Sequence, residues 1–497
     1  MKRTTLSLIA GTTALAAVTG FAALTQPTAP GAGAAAKAAA VLPVERSSLL
    51  CPAPSTSDLA ETTYTSFTPV TKGTKSDGTT ALLPAAGKTA AGGDGKKKTP
   101  AKPVLTPKAP GTPAAGATSG GASPALMGTA EGRFAPGWTL QETTEVAAGT
   151  GRGLLGVNCT APDTDFWFPG VSTAADRTDY LHLTNPDDSA AVVDIELYDK
   201  DGPVATTAGD DFTVPAGSGE PILLSTLTGE KQDDLTVHVN VRSGRVGAAV
   251  QALDDKLGGD WLAASTDPAG SLVVPGIPKD ATAVRLVAFT PADSDADLKV
   301  QLASPSGLIT PAGKETLHVK AGTTTAVDLG DVTRGEAGSL VLTPTDQSVP
   351  VVAAVRVVRG KGDKQESAYL PATSPVGTRA SAVANTAKGT TLSLTAPTGT
   401  AKVKVTASAG SEGGTAATQT YTIRAGTTQD VQLPAPAGLK GTYALTVEPL
   451  TDTPVYASRT LTASIEGLPG FTIQTLPADR GTVAVPQTEE DMTVLQK

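Results

Sequence analysis

The sequence predicts an all-β protein made of tandem antiparallel β-sandwiches of immunoglobulin-like size, with a disordered signal and linker region in front of them. Apolar and polar residues alternate in short runs, as in residues 193–197 and 298–302, which is typical of a strand with one buried face. Turn dipeptides such as Asn-Pro, Asp-Gly and Ser-Gly separate these runs. The whole pattern then recurs after an offset of 105 residues.

The N-terminus has the layout of a secretory signal. Met1-Lys2-Arg3 is positively charged, the segment from Leu6 to Leu24 carries no charge, and small residues follow it. An uncleaved membrane anchor is the alternative, because this uncharged segment is just long enough to span a bilayer. We therefore predict that residues 1–40 are a signal peptide and small-residue stretch, and that the protein is secreted or extracellular. The membrane is contacted only through this segment, if it is uncleaved.

The chain has two cysteines, Cys51 and Cys159, and we expect them to form one disulfide. An even cysteine count in an exported chain favours pairing. Two unpaired thiols are the alternative. A zinc or redox role is not indicated, since the sequence contains no C-x-x-C motif.

The region between the cysteines divides into two strand-forming pieces and a linker. Residues 41–70 and 131–164 are predicted to form strands tied by the disulfide, either completing the first sandwich or forming a small cap domain. Residues 71–130 between them lack aromatic side chains and contain few apolar β-branched residues. Such a composition buries too little surface to offset the entropy of ordering the chain, so a flexible loop is predicted.

Three aligned copies of the strand pattern follow. Residues 180–203 align with residues 285–308 without a gap, and a third copy at residues 392–411 follows with a slip of one residue. About seven half-buried strands per copy suit a two-sheet sandwich. The predicted domains are β-sandwich repeat 1 (165–268), β-sandwich repeat 2 (269–374), β-sandwich repeat 3 (375–485) and a polar tail (486–497).

Composition excludes several classes of function. The net charge of −9 argues against a nucleic-acid partner, since such binders neutralise phosphates with basic side chains. The motifs S-x-x-K, G-x-S-x-G and H-E-x-x-H are absent from the sequence, so the common serine and zinc hydrolases are not indicated. The three histidines, His182, His238 and His318, are expected on polar strand faces without metal or general-base roles. We predict no cofactor and no catalytic residue.

Two weak binding candidates remain. Asp293, Asp295 and Asp297 alternate in a turn, where oxygen ligands can hold calcium, although solvated turn acids are the favoured interpretation. Trp167 and Trp261 could stack on the apolar face of a sugar ring, although packing in a core or at a sheet edge is the default expectation.

Three strings resemble a known family. They are LPVERSSLLCPAPSTSDL (42–59), GRGLLGVNCTAPDTDFWFPG (151–170) and YLHLTNPDD (180–188). They are similar to an actinobacterial secreted protein family of unknown function, domain-of-unknown-function family 5719. The resemblance covers most of the chain after the signal. It implies an extracytoplasmic compartment and supports the cysteine pair, and it carries over no catalytic residue.

Together these observations predict an exported, non-catalytic β-sandwich protein that binds or scaffolds at the cell envelope. Its partner is expected to be an envelope protein or a polysaccharide. A carbohydrate-binding array for cell-wall polysaccharide is the first alternative, and an enzyme with an unrecognised acidic site is the second.

Overall fold

The computed structural model describes residues 39–85 and 102–485. All regular structure in these two ranges is β-strand, apart from short 3₁₀ turns, and every strand pairing is antiparallel. The predicted fold class is therefore confirmed. Almost all of the predicted signal segment and the whole polar tail lie outside the described residues. Within the two ranges there is no helix of the length and apolarity needed to cross a membrane.

The first eight strands precede residue 160. They are β1 (Ala40–Pro43), β2 (Arg46–Cys51), β3 (Ala60–Phe67), β4 (Thr80–Pro84), β5 (Ala114–Ser119), β6 (Leu126–Glu131), β7 (Thr139–Val146) and β8 (Gly153–Asn158). Strands β2 to β8 form a domain of two sheets, ordered β2-β6-β4 and β5-β3-β7-β8, which we call the N-terminal domain.

Repeat 1 contains nine strands. They are β9 (Asp165–Val171), β10 (Arg177–Thr184), β11 (Ala191–Asp199), β12 (Gly202–Val204), β13 (Phe212–Val214), β14 (Gly219–Leu223), β15 (Leu235–Ser243), β16 (Gly247–Asp254) and β17 (Gly258–Leu262). Its sheets are β12-β11-β15-β9, with β13 also on β11, and β14-β10-β16-β17.

Repeat 2 contains the next nine strands. They are β18 (Leu272–Ile277), β19 (Ala281–Phe289), β20 (Ala296–Ser304), β21 (Gly307–Ile309), β22 (Thr316–Val319), β23 (Thr324–Gly330), β24 (Gly338–Pro344), β25 (Val352–Arg359) and β26 (Glu366–Pro371). Its sheets are β18-β24-β20-β21, with β22 also on β20, and β23-β19-β25-β26.

Repeat 3 contains ten strands, and one more strand follows it. They are β27 (Ala380–Asn385), β28 (Thr390–Ala396), β29 (Ala401–Ala407), β30 (Gly413–Thr415), β31 (Ala417–Ile423), β32 (Thr427–Val431), β33 (Ala437–Lys440), β34 (Tyr443–Pro449), β35 (Tyr456–Ile465), β36 (Leu468–Thr475) and β37 (Thr482–Val485). The main sheets are β27-β34-β29-β31 and β32-β28-β35-β36, while β30 pairs with β33 and β37 pairs with β1.

The N-terminal domain repeats the topology of the three later domains. All four domains share seven strands, which correspond to β2–β8 of the N-terminal domain. The second, sixth and last of these seven are neighbours in one sheet, as β3-β7-β8, β10-β16-β17, β19-β25-β26 and β28-β35-β36. A further strand borders this sheet on the far side, namely β5, β14, β23 or β32. We call this four-stranded sheet of each domain its inner sheet. The described chain therefore holds four copies of one sandwich.

The flexible loop predicted for residues 71–130 is wrong where β4, β5 and β6 form. Composition alone did not predict these strands, because the backbone N–H and C=O groups of the segment are hydrogen-bonded to neighbouring strands. Its small residues also allow other backbone segments to approach closely. Gly116 on β5 illustrates this, since a Cβ there would lie 2.5 Å from the carbonyl oxygen of Val104. Residues 86–101 of the predicted loop lie outside the described residues.

The last strands of the four inner sheets meet in a closed ring. Strand β8 contacts β17, β17 contacts β26, β26 contacts β36, and β36 returns to β8. Side chains of each strand enter the neighbouring domain. Tyr369 of β26 packs in the core of repeat 1, and Phe471 and Ile473 of β36 pack in the core of repeat 2. Leu154 of β8 closes the ring against Leu461 of repeat 3.

Candidate functional site: a charged cleft between repeats 1 and 2

A cleft of about 440 Å³ lies between repeat 1 and the inner sheet of repeat 2. Cavities of this size are typical of small-molecule sites, which favour the junction of two domains. Strand alternation sets its floor: Leu286, Val355 and Leu370 are buried in the core of repeat 2, so their chain neighbours point to the opposite face of the sheet.

Four residues form one row across this outer face. Asp328 on β23 pairs with Arg285 on β19, Arg285 pairs with Arg356 on β25, and Arg356 pairs with Tyr369 on β26. Side chains at directly paired positions lie next to each other on one face of the sheet. The row therefore places two arginines side by side at the bottom of the cleft.

The matching row of repeat 1 is not charged. There, Leu223, Tyr180, Gln251 and Trp261 occupy the corresponding registers across β14, β10, β16 and β17. The charged row is therefore a feature of repeat 2 that repeat 1 does not share.

Arg285 is compensated by two carboxylates. Its Nε donates to Asp234 Oδ1 at 2.8 Å, and its Nη1 lies 2.7 Å from Asp328 Oδ1. Asp234 belongs to repeat 1, so this ion pair also joins the two repeats. Like charges on directly paired positions are unfavourable, and the two carboxylates offset that cost for Arg285.

The positive charge of Arg356 is balanced much less well by nearby carboxylates. The nearest carboxylate is that of Asp254, whose Oδ2 lies 4.0 Å from Arg356 Nη1. The other oxygen of Asp254 already accepts the backbone N–H groups of Lys256 and Leu257, both at 2.8 Å. No hydrogen bond joins the Arg356 guanidinium to another residue in the described part of the chain, and its side chain is 30 % exposed. The cleft therefore contains a cation with unused donors.

Tyr369 stands beside this cation with its hydroxyl unpaired. The residue is 2 % exposed, and its Oη has no hydrogen-bond partner among the described residues. Burial raises the pKa of Tyr369 to about 12, so the phenol stays protonated and able to donate. A buried donor without a partner costs free energy, and this hydroxyl is closed to a ligand in the cleft because it has almost no exposed surface.

Arg177 forms the deepest ion pair next to the cleft. Its Nη2 lies 2.8 Å from Asp179 Oδ2, and both side chains are almost fully buried. Burial raises the pKa of Asp179 to about 6, against the opposing effect of the arginine. The guanidinium carbon also lies 5.6 Å from the centre of the Tyr369 ring. This pair fixes the position of the tyrosine and leaves Arg177 already neutralised.

Both candidate tryptophans are packed between domains, in line with the default expectation for them. Trp167 is 6 % exposed and stacks between His238, with ring centres 3.7 Å apart, and Phe289, with ring centres 5.3 Å apart. Trp261 is 2 % exposed and packs against Leu155 and neighbouring side chains of the N-terminal domain. Each ring lies on an outer sheet face that the adjoining domain covers, so neither can stack on a sugar.

Two of the calcium candidates converge on a histidine, since Asp295 Oδ2 lies 3.4 Å from His318 Nε2 and Asp297 contacts the same ring. Asp297 Oδ1 lies 2.8 Å from His318 Nδ1, Asp295 Oδ1 accepts the N–H of Ala321 at 2.8 Å, and Asp293 is exposed. No group of three or more His, Cys, Asp or Glu side chains placed to hold a metal ion is found in the described ranges. These acids therefore act as turn residues.

His182 lies on the outer face of its sheet, opposite the core residues Leu181 and Leu183, but that face is covered. His182 is 6 % exposed and lies edge-on to Trp261, with ring centres 5.0 Å apart. Burial lowers its pKa to about 3, so the ring is neutral. His238 instead bridges two carboxylates, with Nδ1 2.8 Å from Glu196 and Nε2 3.0 Å from Asp165.

The predicted disulfide between Cys51 and Cys159 is confirmed, with a sequence separation of 108 residues. It joins the end of β2 to the residue after β8, and thereby links the two sheets of the N-terminal domain. Both cysteines belong to the core of that domain.

A second polar centre lies where the ring strands meet. Asp260 on β17 accepts the N–H of Gly156 on β8 at 2.9 Å and the hydroxyl of Thr472 on β36 at 3.0 Å. Its carboxyl group thus ties three domains together, and burial raises its pKa. Glu366, at the start of β26, is 4 % exposed, and burial raises its pKa to about 7 despite the nearby guanidinium of Arg152.

The Glu366 carboxyl should make stability depend on pH. Because its pKa is raised on folding, the folded state holds the proton more tightly than the unfolded chain. This stabilisation is complete below the ordinary pKa of a glutamate and is lost as pH rises through about 7. Glu366→Gln should remove this part of the pH dependence, about 3 kcal/mol between about pH 5 and about pH 8.

Urea unfolding of both proteins at the two pH values measures the difference. Glu145→Gln is the matched control, since Glu145 is exposed on β7. Equal losses of stability with pH in the wild type and in Glu366→Gln would contradict the assignment.

The residues that make the cleft were missed by the sequence analysis. The repeat alignment already sets Arg285 over Tyr180 and Arg356 over Gln251, which is the one signal available. A charged residue that occurs in only one copy of a repeat indicates that this copy has a different sheet surface at that position. It does not show whether that surface faces solvent or a neighbouring domain.

No curated protein matches this chain. A family of unknown function (DUF5719) matches residues 114–434, from the start of β5 into repeat 3, and this confirms the resemblance noted in the sequence. Because the match spans well over half of the 497 residues, the chain belongs to the family of unknown function DUF5719.

Proposed function

We propose that the protein is exported and acts at the cell envelope as a non-catalytic binding element whose ligand occupies the cleft between repeats 1 and 2. The observation that carries this proposal is the under-compensated Arg356 at the bottom of a 440 Å³ cleft. A partly solvated cation inside a concave, domain-bordered cavity favours an anionic ligand group there.

Export is supported by two independent features. Residues 1–40 have the charge and hydrophobicity layout of a secretory signal. The disulfide between Cys51 and Cys159 is of a kind that forms and persists in oxidising compartments.

Binding is favoured over catalysis by the residues around the cleft. Its described lining contains no Ser, Thr, Cys or His side chain. The carboxylates nearest the arginines are already engaged: Asp234 and Asp328 with Arg285, and Asp254 with backbone N–H groups. Carbohydrate binding through tryptophan stacking has no comparable support, since both candidate rings are buried.

Export can be tested by comparing the full chain with a chain that lacks residues 1–40 in a bacterial host. After denaturing lysis in the presence of an alkylating reagent, we expect the full chain outside the cytoplasm with no alkylated cysteine. The shortened chain should stay in the cytoplasm with both cysteines alkylated. Cytoplasmic retention of the full chain with reduced cysteines would overturn this part of the proposal.

A further inference from the structure

The cleft combines a cationic floor with an acidic rim. On the floor, Arg356 is 30 % exposed and has donors without a partner among the described residues, while the buried ring of Tyr369 lies at the paired position on the adjacent strand. At the rim, Asp176, Asp233 and Asp328 are exposed together with Lys256, so carboxylates outnumber amines there. A ligand with only negative charge would be attracted to the floor and repelled at the rim.

The floor also suits a particular shape of anion. A guanidinium presents a planar fork of donors that matches the two oxygens of a carboxylate. Val287 and Ala354 pair with each other in the same sheet and line the cleft next to this spot. The space between floor and rim is therefore bordered by small apolar side chains.

We propose that the cleft binds a short peptide with small apolar side chains, holding its free α-carboxylate on Arg356 and its free amine among the rim carboxylates. This inference rests on the proposed function, which makes the cleft a ligand site, and it adds the chemical class of the ligand. Charge complementarity selects this class, because the peptide carries one charge of each sign, separated by an apolar middle.

Calorimetry on the purified full-length protein tests the assignment with tri-alanine, its C-terminal amide, its N-acetyl form and inorganic phosphate. We expect tri-alanine to bind at least about tenfold more tightly than its amide, since a charge-assisted contact is lost. N-acetylation should weaken binding several-fold through the loss of the amine charge.

Two variants locate the contact. Arg356→Gln should weaken tri-alanine binding at least about tenfold and abolish the distinction between acid and amide. Tyr369→Phe should leave the affinity unchanged, because the hydroxyl it removes is buried away from the cleft. Arg245→Gln is the matched control, because Arg245 is an exposed arginine of repeat 1 that pairs with Asp187 outside the cleft. Folding of Arg356→Gln is checked by its melting temperature, which should be no lower than that of the wild type, since an arginine pair is relieved.

The outcomes separate the two proposals. If acid and amide bind equally well, or if only phosphate binds, and Arg356→Gln still weakens binding, the peptide assignment is overturned while the cleft stays a binding site. If no probe binds, or if binding is unaffected by Arg356→Gln, the cleft is not the ligand site and both proposals fall.

Discussion

Replacing Cys51 and Cys159 with serine should destabilise the N-terminal domain by about 4–5 kcal/mol, the largest effect expected from removing one bond in this chain. The disulfide closes a segment of 108 residues, so it restricts the unfolded chain strongly. The two cysteines are 0 % and 6 % exposed, and serine hydroxyls in their place would lie in an apolar core. The chain-entropy effect and the burial of hydroxyls therefore act in the same direction.

Hydrogen exchange detected by mass spectrometry measures this loss locally. Peptides from β2, β7 and β8 should exchange faster in the double variant, while peptides from repeat 3 core strands should change least. Reductant is the internal control, because it should reproduce the effect in the wild type and do nothing to the variant. Unchanged protection of β2 and β8 in the double variant would show that the bond adds no stability.

Truncating Trp261 to alanine is the second large change, with an expected cost of about 3–5 kcal/mol. The indole joins repeat 1 to the N-terminal domain, where it packs against Leu155, Val157 and Val146. Its removal leaves a cavity in a joint between two domains. We therefore expect protection to fall on both sides, in β8 as well as in β17.

Two further variants calibrate this result. Trp261→Phe should cost less, because it keeps much of the buried ring. Leu308→Ala removes an apolar side chain that is 43 % exposed and should change the free energy of unfolding by about 0.5 kcal/mol or less. If Trp261→Ala is as stable as Leu308→Ala, the ring does not hold the joint together.

Much of the architecture was predictable from local patterns. The alternation in β11 and β20 predicts half-buried strands, because the side chains of a strand point alternately to its two faces. The cysteine pair was also predictable, since a chain with two cysteines has only one way to pair them. These conclusions needed no knowledge of what lies across the sheet.

The N-terminal copy of the sandwich was not predictable in this way. Strand β5 consists of Ala, Gly, Thr and Ser, and such residues resemble a linker when they are considered alone. They form a strand because β3 supplies the hydrogen-bonding partners. Composition describes what a segment can bury by itself, whereas pairing depends on a strand that lies about 50 residues earlier in the chain.

The candidate site shows the same division. The sequence by itself determined the repeats, the strand periodicity and the faces on which Arg285, Arg356 and Trp261 lie. Only the tertiary structure decided which outer faces are covered, burying Trp261 under the N-terminal domain and leaving Arg356 in an open cleft. The physical reason is that a strand's alternation fixes two faces from local geometry, while the environment of the outer face is set by a neighbouring domain far away in sequence.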